Sequence, residues 1–362
     1  MTDVGSTFLT ILEFILAFGA LVFLHELGHF IAARANKIDV EEFGFGYPPK
    51  MLRLFRAGGT DFTLNWIPFG GFCRMKGEAG DILEPGSFPA ANPWRRLATL
   101  LGGPLTNLLV GMLIFTYLFT RTGAPELTKV EIIEIAPASP AAAELQVGDI
   151  ITGLNGEEVD SLDKLSALLY PNRGSEVTLS ILRDQQTFEV TLMAREDPPE
   201  GEGAMGVVIS NPVRPITFFE ALPMAAITTV DQGVQLFMLP VRLISGQVAP
   251  ADARMVSVKG IYDIYAQVQT LDKQEAAVDP SLRGLNILSF LALISVALGF
   301  TNLLPIPALD GGHIIFLIPE ILFRKRVRPE LEGRIHGIAF MLLIGLMVLL
   351  LINDILNPVS IY

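Results

Sequence analysis

The pentapeptide His25-Glu26-Leu27-Gly28-His29 carries the residue types and the spacing that metal-assisted hydrolysis requires. Side chains four apart share one face of a helix, so His25 and His29 can offer two imidazole nitrogens to a single metal ion. Glu26 follows His25 by about 100° around the helix, which sets it beside the ion without making it a ligand, within reach of a proton on an attacking water. The bland alternative is a chance match on a buried helix whose histidines are satisfied by neighbours. The surroundings oppose it: the motif closes an apolar run, where ionisable groups are costly and usually functional.

A third ligand must come from elsewhere in the chain. Catalytic zinc bound by two histidines commonly takes a carboxylate as its third protein ligand and keeps the fourth position for water. The stretch Asn302-Leu303-Leu304-Pro305-Ile306-Pro307-Ala308-Leu309-Asp310-Gly311-Gly312 ends another apolar run, and its paired prolines must open the helix there. Irregular backbone at membrane depth is tolerated only where it is buried in protein or lines a cavity. Asp310 is therefore the expected third ligand. The competing donors are Glu13, at the wrong depth; His313, one turn beyond Asp310 and read as a supporting residue; and His336, past a basic cluster.

The elements that must bring these residues together are membrane helices. At 51% hydrophobic over 362 residues, with mean hydropathy +0.48, the chain is too apolar for an ordinary soluble domain. The fold class expected is an α-helical integral membrane protein with spans at 8–33, 97–119, 287–309 and 336–351. The first run, about 39 Å of helix, lacks the basic start of a cleavable signal and carries the motif at its end, so it reads as a retained span. The loop 34–96 is rich in Arg and Lys, which places it and the nearby motif on the cytoplasmic side. Within that loop, 62–67 and 71–75 flank Pro68-Phe69-Gly70 and read as two short strands joined by a turn. Gly103, Asn107 and Gly111 form a narrow face on the second span, suited to close helix packing or to something held between helices. Residues 218–244 are apolar but interrupted by Glu220, Asp231, Gln232, Gln235 and Arg242. Were that segment to cross, the basic cluster Arg324, Lys325, Arg326 and Arg328 would fall outside, so it is expected to lie on the membrane surface. The parts are then 1–121, 122–211, 212–284 and 285–362. The lone Cys73 excludes an internal disulfide, and a net charge of -12 without a basic, aromatic-studded stripe excludes a nucleic-acid partner.

From about residue 122 the composition becomes that of a soluble domain. Ser139-Pro140-Ala141-Ala142-Ala143, Val147-Gly148-Asp149-Ile150-Ile151 and Asn155-Gly156-Glu157-Glu158-Val159 resemble the PDZ fold, which captures extended peptides at a sheet edge. Residues 127–194 carry this resemblance, with 203–209 supplying a further strand.

Together, the motif at 25–29, the stretch ending Leu309-Asp310-Gly311 and the inserted PDZ-like module resemble the site-2 protease family of intramembrane zinc metalloproteases across nearly the whole chain. The resemblance implies that His25, His29 and Asp310 bind Zn2+ and that Glu26 is the acid/base. It also implies a re-entrant β-hairpin, with Trp66, Gly70, Gly71 and Phe72 offering an edge to substrate, and Asn107 and Asn302 lining the cleft. The implied substrates are single-pass transmembrane proteins or remnant signal peptides already shortened outside, such as an anti-sigma factor. The implied place is the bacterial cytoplasmic membrane, with the PDZ-like domain extracytoplasmic. A close family member carries a tandem PDZ pair; this chain has room for one module, so gating by a pair does not carry over. Two other classes stay open. A metal transporter would use the same ligands along an ion pathway and show flux instead of proteolysis. A non-catalytic PDZ-bearing receptor would survive Glu26→Gln unharmed.

Overall fold

The computed structural model describes residues 2–78, 83–199, 202–247 and 254–360. Its helices are α1 (Thr2–Ala35), α2 (Pro93–Thr122), α3 (Leu162–Leu169), α4 (Phe218–Ile244), α5 (Val258–Val278), α6 (Leu285–Asn302), α7 (Asp310–Phe323) and α8 (Pro329–Leu356). The chain divides into two compact units, one of Met1–Leu118 with Leu222–Tyr362 and one of Phe119–Ala221.

In the first unit, Thr7–Ala35, Pro93–Thr122, Pro280–Asn302 and Pro329–Leu356 are long and apolar enough to cross a bilayer. The third helix stops at Asn302 instead of continuing to 309, because Pro305 and Pro307 cannot donate backbone hydrogen bonds and exclude the turn before them. The chain restarts as α7 at Asp310. Small residues set the crossings. A Cβ on Gly28 would lie 2.3 Å from the Gly102 carbonyl oxygen, and one on Gly102 2.6 Å from that of Gly28, so α1 and α2 touch backbone to backbone. A Cβ on Gly111 would meet Val296 at 2.5 Å, which seats α6 against α2.

One helix departs from the sequence expectation. The amphipathic α5 has low hydropathy and was not foreseen. It packs on α1 through Phe14 with Tyr262 and Tyr265, and Gln269 donates to Glu13. Helix α4 was expected at the membrane surface. Its Phe237 ring sits 5.8 Å from Phe300, and Gly233 also abuts that ring.

The loop after α1 holds β1 (Val40–Ala57) and β2 (Thr60–Met75). The expected hairpin of 62–67 against 71–75 is not formed. Both segments belong to β2 and flank 40–45, so that Phe43 pairs with Phe62 on one side and Cys73 on the other. Residues 50–57 then pair with 60–65 across the Gly58-Gly59 turn, where both glycines adopt positive φ. Phe43, Val40, Cys73 and Met75 form a core with Ala33 of α1, Leu100 of α2 and Leu317 of α7. This core fixes the sheet against the helix that carries the histidines.

In the second unit, β4 (Val130–Ile135), β5 (Ile150–Leu154), β6 (Glu157–Glu158), β7 (Glu176–Arg183), β8 (Gln186–Met193) and β9 (Val207–Ser210) form one antiparallel sheet, ordered β8-β7-β5-β4-β9 with β6 on β5. Alternation along β4, β5 and β7 buries Val130, Ile132, Ile151, Val177, Leu179 and Ile181 in its core, joined by Leu165 of α3. Ser161 caps α3 by accepting from Lys164 N. The short β3 (Ala124–Pro125) and β10 (Val213–Arg214) pair where the chain enters and leaves. Asp149, 1% exposed, accepts two hydrogen bonds from Arg183, both 2.7 Å. Burial alone would push its carboxyl up, but the guanidinium and the Gln146 N–H hold it below the usual carboxylate range.

Candidate metal centre

Helix α1 presents His25 and His29 on the face that meets α2, and both are buried, at 7% and 5% exposure. The proximity of α2 depends on its glycines. A Cβ on Gly103 would lie 2.3 Å from His29 Nε2 and 2.7 Å from His25 Nε2, so the imidazoles occupy space that only glycine leaves free. Asp310, the first residue of α7, brings its carboxylate to the same point. His25 Nε2 lies 3.2 Å from Asp310 Oδ2, His29 Nε2 lies 3.4 Å from it, and the two Nε2 atoms are 3.2 Å apart.

That triangle fits a metal ion. Ligands about 2.1 Å from a tetrahedral zinc are spaced by about 3.4 Å. In their neutral form the two imidazole nitrogens present lone pairs, as the carboxylate oxygen does, so their convergence suits a cation at the centre. The outer nitrogens are arranged to match. His29 Nδ1 donates to the Thr99 carbonyl at 2.9 Å, which leaves Nε2 as the free electron pair. The Asn107 amide stands 3.3 Å from His25 Nδ1. With its oxygen turned to that nitrogen it accepts the Nδ1–H, and an amide oxygen otherwise buried without a partner is satisfied.

Glu26, half-buried, borders a cavity of about 1000 Å³ that His25, His29 and Asp310 also line. The last strand segment passes beside it: a Cβ on Gly71 would come 3.7 Å from Glu26 Cγ. Residues 71–75 pair with 40–45 on one side, and Phe72, Cys73, Arg74 and Met75 line the cavity. Asn302 is on the cavity wall, with its amide nitrogen donating to the Leu298 carbonyl. Asn107 is 1% exposed and stands behind His25. Trp66 is 64% exposed, and Gly70 adopts positive φ where a Cβ would press on Val22 and Tyr47. Of the competing donors, Glu13 is taken up by Gln269, and His313 and His336 stack on each other, their ring centroids 3.8 Å apart.

Sequence reasoning missed the Thr99 carbonyl, since a backbone acceptor has no side-chain signature. It also missed Glu42, 4% exposed on the cavity wall and bonded to Thr63, Lys50 and Arg74. An acid beside a second acid, Glu41, in a polar loop gives no sign that it is buried.

The family model described as Peptidase family M50 matches residues 13–346. The chain is 28% identical over 354 residues to a Clostridium acetobutylicum protein bearing a provisional zinc-metalloprotease name, covering 98% of this chain and 99% of that one. It is 29% identical over 430 residues to the zinc metalloprotease RasP of Shouchella clausii, covering 96% of this chain and 98% of that one. Among solved structures, the PDZ domain of an SdrC-like protein from Listeria innocua aligns with 23% of this chain and 96% of that domain, at 19% identity and a TM-score of 0.22.

Proposed function

The chain belongs to peptidase family M50, the site-2 proteases, and is a multi-pass membrane zinc metalloprotease; on that premise we propose that it hydrolyses a peptide bond within or near the transmembrane segment of single-pass proteins already shortened on the outer side. The observation that carries this reading is the triangle of His25, His29 and Asp310 with Glu26 beside it, opening on a cavity flanked by a strand segment. The proposed setting is the bacterial cytoplasmic membrane, with the site near the cytoplasmic face and the PDZ-like unit outside.

His25, His29 and Asp310 would hold the ion. When bound, Zn2+ supplies a Lewis acid for the scissile carbonyl and acidifies a water towards a pKa of about 7. Glu26 accepts the proton of the attacking water and returns it to the leaving amine nitrogen as the C–N bond breaks. Thr99 and Asn107 keep both imidazoles in the tautomer that binds metal. A substrate helix hides its peptide bonds within its own hydrogen bonds and must unwind before water can attack. Pairing of the unwound segment with the edge at Gly71 and Phe72 replaces the lost bonds, while Gly70 allows the chain to turn there. Asn302 offers a polar contact to the substrate backbone, and the exposed Trp66 an apolar one.

Glu26→Gln is expected to retain stoichiometric zinc and to lose cleavage by several orders of magnitude, whereas Asp310→Ala should lose both. Zinc content by elemental mass spectrometry, paired with cleavage of a single-pass reporter in detergent, separates the outcomes. Full zinc occupancy in Asp310→Ala would remove that residue from the ligand set. Undiminished cleavage by Glu26→Gln would end its assignment as the base.

A further inference from the structure

On the wall of the same cavity, α7 and α8 share a second cluster of His313, Glu332 and His336, whose candidate ligand atoms lie within 4.8 Å of one another. A second metal site is one reading, but the ring geometry opposes it. The His313 and His336 rings are nearly parallel, at 17° and 3.8 Å between centroids, so their in-plane lone pairs run side by side and do not converge. His336 Nδ1 is also already engaged: it accepts the backbone N–H of Ala308 at 2.9 Å.

Ala308 is the distinctive residue of the loop. It holds φ at +82°, a left-handed conformation that residues with a Cβ rarely adopt, two positions before Asp310. The loop bends there tightly enough that a Cβ on Gly311 would lie 2.2 Å from the Leu304 carbonyl oxygen, and one on Gly312 2.4 Å from that of Ile306. The orientation of the Asp310 carboxylate therefore depends on a turn that is unfavourable in isolation. Its tie to the neighbouring helix is the hydrogen bond to His336, whose ring is steadied by the His313 stack, with His313 Nδ1 in turn 3.4 Å from Glu332 Oε1.

We infer that His336 positions the metal ligand Asp310 by holding the left-handed Ala308 turn from α8. The inference rests on the reading of Asp310 as a ligand, and its test keeps the two apart. Zinc affinity of the purified full-length protein in detergent is measured by competition with a chromophoric chelator. His336→Phe keeps an aromatic ring on His313 but removes the acceptor, and should weaken zinc binding by about 10–100-fold, the usual cost of losing a group that orients a ligand. His336→Asn places an amide oxygen close to the position of Nδ1 and should stay near wild type. Adding Ala308→Gly to His336→Phe should recover much of the loss, because glycine adopts the turn without strain. Asp310→Ala is the reference for loss of a ligand. If His336→Phe binds zinc as tightly as wild type while Asp310→Ala does not, the positioning role is wrong and the ligand reading stands. If Asp310→Ala also matches wild type, the ligand reading fails and takes this inference with it. A loss in His336→Phe that Ala308→Gly leaves untouched, or that His336→Asn shares, would make His336 a packing residue. Two zinc ions per wild-type chain, one of them absent from His336→Phe, would replace positioning with a second metal site.

Discussion

Gly103 is the residue at which helix packing and chemistry coincide. Any side chain there must displace the two imidazole Nε2 atoms, whose rings Thr99 and Asn107 hold from behind, or push α2 away from α1. Gly103→Ala is expected to abolish zinc binding and cleavage while costing about 1–3 kcal/mol of stability, the usual range for overpacking. Elemental analysis together with thermal unfolding in detergent reads both effects. A folded Gly103→Ala protein with full zinc would show that the imidazoles have room the geometry denies them. Cys73 is the converse case, a chemically capable residue placed so that it is inert. Burial pushes its thiol up, and the nearby Glu26 carboxylate adds to the shift, so little thiolate exists at neutral pH. Maleimide labelling should be negligible in the folded protein and complete after denaturation; fast labelling of native protein would contradict the burial.

Helices here are joined by a few buried polar ties. Asp354, fully buried near the end of α8, accepts from Ser257 N and Oγ and from Arg254, each at 2.7 Å, and so fastens the start of α5. Asp354→Ala should cost about 2–3 kcal/mol, less than a wholly buried pair because Arg254, at 29% side-chain exposure, can turn to water. Faster proteolysis within 254–260, with the rest of the chain protected, would report the freed helix; an unchanged digestion pattern would argue against the latch. The same contrast between local pattern and distant pairing explains what the sequence revealed. His25 and His29 were legible because their spacing matches the helical period, and Asp310 because paired prolines mark an opening in an apolar run. The four long helices announce themselves by hydropathy alone. The partner of 62–67 was not legible, since Val40–Phe45 mixes two acids and a glycine among its apolar residues and its two-sided pairing is set by long-range register. Helix α7 lies wholly beyond the expected 287–309 span, in the stretch leading to the basic cluster, and α5 buries only a narrow stripe that leaves its composition polar.

The second unit has its own core and its own ion pair, so residues 119–221 should fold when expressed alone. The folded pKa of Asp149 lies below its unfolded value of about 3.9. Its contribution to stability is therefore present above about pH 4 and fades as pH falls through the folded value. Unfolding midpoints of Asp149→Asn should be lower than wild type at neutral pH, and the gap should close in acid; a gap that widened would reverse the sign of the linkage. The pairing of β3 with β10 brings the two ends of the unit side by side, Pro125 opposite Val213, so a short glycine-serine joint can replace 127–209 without pulling on α2 or α4. If the unit excludes bulky outer domains, the shortened protein should cleave a single-pass reporter that still carries its outer domain, a substrate wild type rejects, while keeping wild-type zinc content. If the unit recruits substrates instead, cleavage of pre-shortened reporters should fall, and intact reporters should stay uncut. Running both reporters against both proteins decides between a gate and a recruiter, because zinc content shows in each case that the membrane part still holds its metal.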